Sequence, residues 1–168
     1  GYNMSTPEAY WDHFGALKSL YGQGHICPGD SESVRCPTES AYAFDLLCGG
    51  GQYTYLDWRL YPQKFPHAAG VTPDERSLVE AYNLAQYYFG MYESTPFYFA
   101  TSKNHFTTTA PSTYATLYHN DTWGDWLLAL ANMAQEDRTT TLTLHDAAAI
   151  GLDVGAEWLL WDVGQRTV

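Results

Sequence analysis

Apolar side chains recur at helical spacing in two stretches of residues 1–95. Thr6-Pro7-Glu8 has the residue types of a helix start, and the aromatic and aliphatic positions that follow share one face of a helix: Tyr10, Phe14, Leu17 and Tyr21. Thr72-Pro73-Asp74-Glu75 resembles a capping box with proline at the first helical position. The pattern therefore predicts one helix from Pro7 and a second that ends near Glu93.

The remaining apolar runs are short and have strand character. Residues 25–27 and 41–48 are candidate strands before residue 95, and a short helical turn is predicted at 147–152. After Pro96 the runs are rich in aromatic and β-branched residues and are separated by turn-forming residues. They predict strands at 97–100, 114–119, 126–132, 139–144 and 158–163.

This change of pattern near residue 95 predicts two domains. The order of helices and strands in residues 1–95 fits βαβ units and a parallel sheet, whereas residues 96–168 fit an antiparallel β-sandwich. Two strands do not make a stable sheet, so the first part is expected to need an upstream segment of the same protein. The start at Gly1, without a signal-peptide pattern, agrees with a piece of a longer chain.

Charge and composition narrow the classes of partner. The chain carries 8 basic and 19 acidic residues, a net charge of −11, which disfavours nucleic acid and anionic membranes. No apolar run reaches the length of a membrane helix. Aromatic residues make up 16% of the chain; they suit either core packing or stacking on sugar rings.

The three cysteines leave two alternatives open. Cys27 and Cys36 flank one polar loop and are candidates for a disulfide in an oxidising compartment, which would leave Cys48 unpaired. Buried free thiols are the other interpretation. None of the cysteines forms a CxxC pair, and the histidines lack metal-type spacing, so no metal and no cofactor are predicted.

Three segments carry a resemblance to a known family. They are the helix start Thr72–Leu78, the run Trp126–Asn132, and the region Leu142–Val163 with its Thr-Leu-Thr-Leu strand and its Glu-Trp-Leu-Leu-Trp-Asp-Val ending. In this order they resemble the end of a melibiase-like (α-galactosidase superfamily) glycoside hydrolase. The resemblance implies α/β plus all-β structure: the tail of a (β/α)8 barrel in residues 1–95, then a small antiparallel β-sandwich in 96–168.

Two loops hold the candidate site residues. Asp30 and Glu32 follow the strand at 25–27, where a barrel places catalytic carboxylates, and either is a candidate general acid. Asp57, Trp58 and Arg59, with His67, lie in the loop after the next strand and are candidates for binding sugar hydroxyls and stacking on a ring. The alternatives are a solvated polar loop for the first pair and a surface ion pair beside a packed tryptophan for the second set.

The sequence therefore predicts the C-terminal region of an extracellular or periplasmic glycoside hydrolase acting on oligo- or polysaccharide. The resemblance places at least one catalytic carboxylate outside the chain, so the isolated chain is expected to be inactive. The alternatives are a non-catalytic carbohydrate-binding module and a structural subunit of a fibre or shell. Asn120-Asp121-Thr122 also fits the N-glycosylation pattern.

Overall fold

The computed structural model of the protein describes residues 7–9, 11–12, 27–28, 46–51, 88–134 and 136–160. Helical backbone occurs at 7–9, 11–12 and 46–48, and 3₁₀ helices span Met91–Glu93 and Ala148–Ile150. The strands are β1 (Cys27–Pro28), β2 (Gly50–Gly51), β3 (Thr95–Phe97), β4 (Phe106–Thr108), β5 (Thr113–Asn120), β6 (Asp125–Asn132) and β7 (Leu142–Leu144).

The centre of the described structure is an antiparallel sheet in the order β3-β5-β6. Strands β5 and β6 pair along their whole lengths, from Thr113 opposite Asn132 to Asn120 opposite Asp125. Successive side chains of β5 point to opposite faces, so Thr116 and Tyr118 lie on one face and Leu117 on the other. Both faces of β5 are largely buried.

One face of this sheet packs against the helical segments. Tyr98 and Tyr118 are 1% and 0% exposed and form a cluster with Met91, and the ring of Trp11 lies 4.7 Å from that of Tyr98. Leu47, which is 0% exposed, packs nearby against a cluster containing Phe99 and Ala131. We call this surface the helix-covered face. Its rings and aliphatic groups exclude water from the polar atoms between them.

Two hydrogen bonds tie the helix-covered face to the segment at 46–48. The Thr116 hydroxyl donates to the carbonyl of Leu47 at 2.8 Å and accepts the backbone N–H of Phe99 at 3.2 Å. The Tyr118 hydroxyl donates to the carbonyl of Leu46. Both bonds therefore connect β5 to the backbone of the 46–48 segment.

The opposite face packs against a two-stranded antiparallel sheet of β4 and β7. Phe106 from β4, Ala115 and Leu117 from β5, and Ile150 from the second 3₁₀ helix form one buried cluster. Leu142 and Leu144 of β7 and Phe97, Trp126 and Leu128 of the central sheet pack around it. We call this surface the β-covered face.

The barrel tail predicted for residues 1–95 is wrong. A (β/α)8 barrel is built from parallel strands, each followed by a helix, but β1 and β2 pair in parallel over only two residues each. The other described sheets are antiparallel and small. Residues 46–48, predicted as the end of a strand, are helical. Periodicity does not separate a strand from a helix in so short an apolar run, and Leu47 and Cys48 are buried as helical residues.

Two of the strands predicted after residue 96 are confirmed. Strand β5 covers the predicted 114–119 and β6 covers 126–132, each with one or two further residues. The strand predicted at 97–100 is observed two residues earlier, as β3 (Thr95–Phe97). The chain turns after Tyr98, because the Tyr98 carbonyl accepts the N–H groups of Thr101 and Ser102. The run at 139–144 contributes only β7, and β4 was not predicted.

Other predictions fall partly outside the described residues. Residues 158–160 are not in a strand, and 161–163 are not described. The helical turn at 147–152 is confirmed as Ala148–Ile150. The helix expected to run to Glu93 is broken at Gly90, whose φ of 73° is left-handed, and residues 72–87 lie outside the described part. The domain boundary near residue 95 stays a prediction.

Candidate functional site

The site residues predicted from the sequence lie outside the described residues. This applies to both candidate carboxylates and to the whole candidate sugar-binding set: Asp30, Glu32, Asp57, Trp58, Arg59 and His67. Cys36 is also outside, so the alternatives for Cys27 and Cys36 remain open, whereas Cys48 is buried in the core. The described residues bring together a different group, at the end of the central sheet where β5 turns into β6.

Asn120 holds the turn that joins β5 to β6. Its side chain is buried, and its Oδ1 accepts the N–H groups of Thr122 at 3.0 Å and Trp123 at 3.3 Å. Its Nδ2 donates to the carbonyl of Phe89 at 2.7 Å. The N–H of Gly124 closes the turn on the carbonyl of Asn120 at 2.8 Å. The turn is therefore fixed both to the strand end and to the neighbouring segment.

Gly90 lies directly against this anchor. A Cβ at residue 90 would stand 3.0 Å from Asn120 Nδ2, and the φ of +73° is a conformation that other residues rarely adopt. A glycine at this position lets the Phe89 carbonyl approach the Asn120 amide. The turn conformation thus depends on a segment distant in sequence.

A hydrogen-bonded trio lies beside the turn. The Nδ1 atom of His119 is 2.9 Å from Asp121 Oδ1, and the Thr95 hydroxyl donates to Asp121 Oδ2 at 2.9 Å. Because a carboxylate only accepts hydrogen bonds, Nδ1 of His119 carries the proton. Nε2 has no hydrogen-bond partner among the described residues, so it is the ring nitrogen left for a ligand or water.

Aromatic rings extend this trio across the sheet. The Trp126 ring stacks on the His119 ring, with centroids 4.4 Å apart and an interplanar angle of 20°. Phe97 lies 5.9 Å from the Trp126 ring on the same face. His119 and Trp126 face each other because the register pairs them directly, next to the last pair of the hairpin. The stack fixes the orientation of the imidazole.

Trp123 projects from the tip of the turn. It is 60% exposed, whereas its backbone is held by Asn120. Asp121 on the same turn is also exposed. A large ring on an immobilised backbone gives contact area at low entropic cost. We call Thr95, His119, Asp121, Trp123 and Trp126 together the turn site.

The glycosylation motif at residues 120–122 is not accessible in the folded chain. Asn120 is 2% exposed, and its side-chain nitrogen, the atom that a glycan would modify, donates to the Phe89 carbonyl. The side chain is needed for the turn. In the fold, the motif therefore serves as a structural asparagine at the end of a strand.

Metal and membrane sites receive no support from the described part. No group of three His, Cys, Asp or Glu side chains in it is arranged to hold a metal ion. No helix among the same residues is long and apolar enough to cross a membrane.

The sequence itself carries a local signal for the turn site. The run 114–120 and the run 125–132 are strands separated by a short polar segment, and antiparallel pairing across it places residue 119 opposite residue 126.

Comparison with protein-family models, with curated proteins and with solved structures finds no match to this chain.

Proposed function

We propose that this protein is a carbohydrate-binding module that does not catalyse hydrolysis, and that the turn site is its binding surface. The observation that carries the proposal is the exposed Trp123 ring on a turn whose backbone is fixed by Asn120. Sugar rings present C–H faces that pack on aromatic rings, and the apolar contact needs such a rigid, solvent-facing ring.

The polar groups of the turn site suit sugar hydroxyls. Asp121 supplies carboxylate oxygens, and the Nδ1–H of His119 is already used on that carboxylate, which leaves Nε2 to accept a hydrogen bond from a hydroxyl. Thr95 donates to the same carboxylate and holds it from the other side. A neutral polyol can satisfy these groups without bringing a charge into the site.

The net charge of the chain also favours a neutral ligand. A net charge of −11 disfavours polyanions such as nucleic acids and sulfated polysaccharides. Neutral oligo- and polysaccharides are therefore the ligand class we propose.

Glycoside hydrolysis stays a prediction from the family resemblance. Its candidate carboxylates Asp30 and Glu32 lie outside the described residues. The prediction of a barrel tail, which would position them, is wrong. The extracellular or periplasmic location also stays a prediction, and it fits a polysaccharide ligand.

Affinity electrophoresis through gels containing neutral polysaccharides tests the proposal. We expect retardation of the protein in at least one neutral polysaccharide, reduced in the His119→Ala and Asp121→Asn variants. A parallel assay for released reducing ends should show no hydrolysis. Unretarded migration in every gel would contradict binding, and reducing ends that disappear with Asp30→Asn would contradict the non-catalytic role.

A further inference from the structure

A second candidate site lies away from the turn site, where the segment at 7–12 meets the central sheet. A cavity of about 180 Å³ is bordered there by Glu8, Phe99, Lys103, Phe106 and Tyr114, together with threonines of β4 and β5. Phe99 and Phe106 are 7% and 3% exposed, so they give the cavity an apolar wall. Glu8 and Lys103 are exposed and place one charge of each sign at the same opening.

The two charged groups are not paired with each other. Among the described residues, the Arg138–Glu136 salt bridge and the His119–Asp121 contact both lie elsewhere, and neither involves Glu8 or Lys103. Burial raises the pKa of the Tyr114 hydroxyl, and the Glu8 carboxylate lies close enough to that group to raise it further. A carboxylate has about four acceptor positions, so Glu8 can face this hydroxyl and still receive a ligand cation.

Two hydroxyl protons in the cavity wall are already used within the protein. Thr108 donates to the carbonyl of Thr113 at 2.6 Å, and Thr113 donates to the carbonyl of Ala110 at 2.6 Å. Thr107 shares a hydrogen bond of 2.9 Å with His145. The Lys103 ammonium is thus the main donor left for a ligand, and the Glu8 carboxylate is the main acceptor.

From this arrangement we infer that the cavity binds a small zwitterion with an apolar side chain, of the class of the aliphatic α-amino acids. Glu8 receives the ligand ammonium, Lys103 receives the ligand carboxylate, and the Phe99–Phe106 wall receives the side chain. The two charges favour a zwitterion over a neutral sugar, because a sugar would leave Lys103 and Glu8 without a charged partner. The site is independent of the carbohydrate-binding proposal.

Amide chemical shifts of the full chain, titrated with L-leucine at millimolar concentration, test the inference. We expect saturable shifts at Lys103, Phe106 and Tyr114. N-acetyl-L-leucine, which lacks the cation, and L-leucinamide, which lacks the anion, should each bind several-fold more weakly. Equal binding of all three compounds, no saturable shift with leucine, or equally strong shifts with a neutral monosaccharide would overturn the inference.

Charge-removing variants locate the contacts. Glu8→Gln and Lys103→Met should each weaken leucine binding by about threefold to fivefold, as expected for exposed ion pairs. Lys103→Arg keeps the cation and should retain binding, and Glu157→Gln, an exposed carboxylate on another segment, should have no effect. Because the altered side chains are exposed, the far-ultraviolet circular dichroism should be unchanged. Unaltered affinity in both charge-removing variants would overturn the assignment.

Discussion

The two faces of the central sheet are covered in different ways. The helix-covered face buries Tyr98 and Tyr118 almost completely. On this face, the hydroxyls of Tyr118 and Thr116 donate to the carbonyls of Leu46 and Leu47. The β-covered face buries aliphatic groups such as Ala115 and Leu117, and it continues at the turn end into the half-buried, stacked pair His119 and Trp126. One face therefore holds distant segments together, whereas the other ends at the proposed turn site.

The largest expected effect is on the helix-covered face. Tyr118→Ala should lower the free energy of unfolding by about 3–5 kcal/mol, because it removes a fully buried ring and leaves a cavity. Tyr118→Phe should cost less, about 1–2 kcal/mol, since it keeps the buried ring and removes the hydroxyl that bonds to Leu46. Urea unfolding measures both. A smaller loss for Tyr118→Ala than for Tyr118→Phe would contradict the packing role of the ring.

The β-covered face should be less sensitive. Leu117→Ala should lower the free energy of unfolding by about 2–4 kcal/mol, because Leu117 is 5% exposed and packs against Phe106 and Ile150. Leu130→Ala on β6 is the matched control: Leu130 is 51% exposed, and its loss should be much smaller. Equal losses in urea unfolding would contradict the assignment of Leu117 to a buried cluster.

Sequence reasoning succeeded where the decisive interactions are local. Strands β5 and β6 are predicted because two apolar runs, one rich in tyrosine and threonine and one rich in leucine and alanine, are separated by the turn formers after Asn120. The barrel tail was inferred from the order of short elements and from a resemblance, and such order does not specify which strands pair. Residues 46–48 show this: their helical form is stabilised by contacts with Thr116 and Phe99, far along the chain.

The candidate site was less accessible to sequence reasoning. His119, Trp126 and Asp121 are brought together by hairpin register, which local signals do define. The contribution of Thr95, and the anchoring of Asn120 on the Phe89 carbonyl, depend on β3 pairing with β5 and on the left-handed Gly90. No periodicity in the sequence encodes these contacts.

Buried hydrogen bonds are a second difference between the two faces. Thr116→Val keeps the shape of the side chain but leaves the Leu47 carbonyl and the Phe99 N–H without their present partner. We expect a loss of about 1–3 kcal/mol in the free energy of unfolding. Thr122→Val, on the exposed turn, should cost far less. Similar losses in the two variants would show that the buried hydroxyl contributes little.

Ionisation of Tyr114 should make the free energy of unfolding depend on pH in the alkaline range. Burial, together with the nearby Glu8 carboxylate, raises the pKa of Tyr114 from 10.0 to about 12. A raised pKa means that its contribution is complete below about pH 10 and is lost as pH rises from about 10 to about 12. The difference in unfolding free energy between the protein and Tyr114→Phe should shrink over that window. A difference that does not change with pH would contradict a raised pKa of Tyr114 in the folded protein.

The smallest effect on stability is expected at the turn site. Trp123 is 60% exposed, so Trp123→Ala should change the free energy of unfolding by no more than about 0.5 kcal/mol. Thermal and urea unfolding both measure this change. A loss as large as that of Leu117→Ala would mean that Trp123 supports the fold instead of facing a ligand.

Neutral-polysaccharide binding by Trp123→Ala, compared with Trp158→Ala, tests the central claim most directly. Trp158 is 50% exposed on a different segment and so provides a matched tryptophan control. We predict that Trp123→Ala folds normally and loses retardation in affinity electrophoresis, whereas Trp158→Ala keeps it. Retained binding in Trp123→Ala, or equal loss in both variants, would contradict the assignment of carbohydrate binding to the turn site.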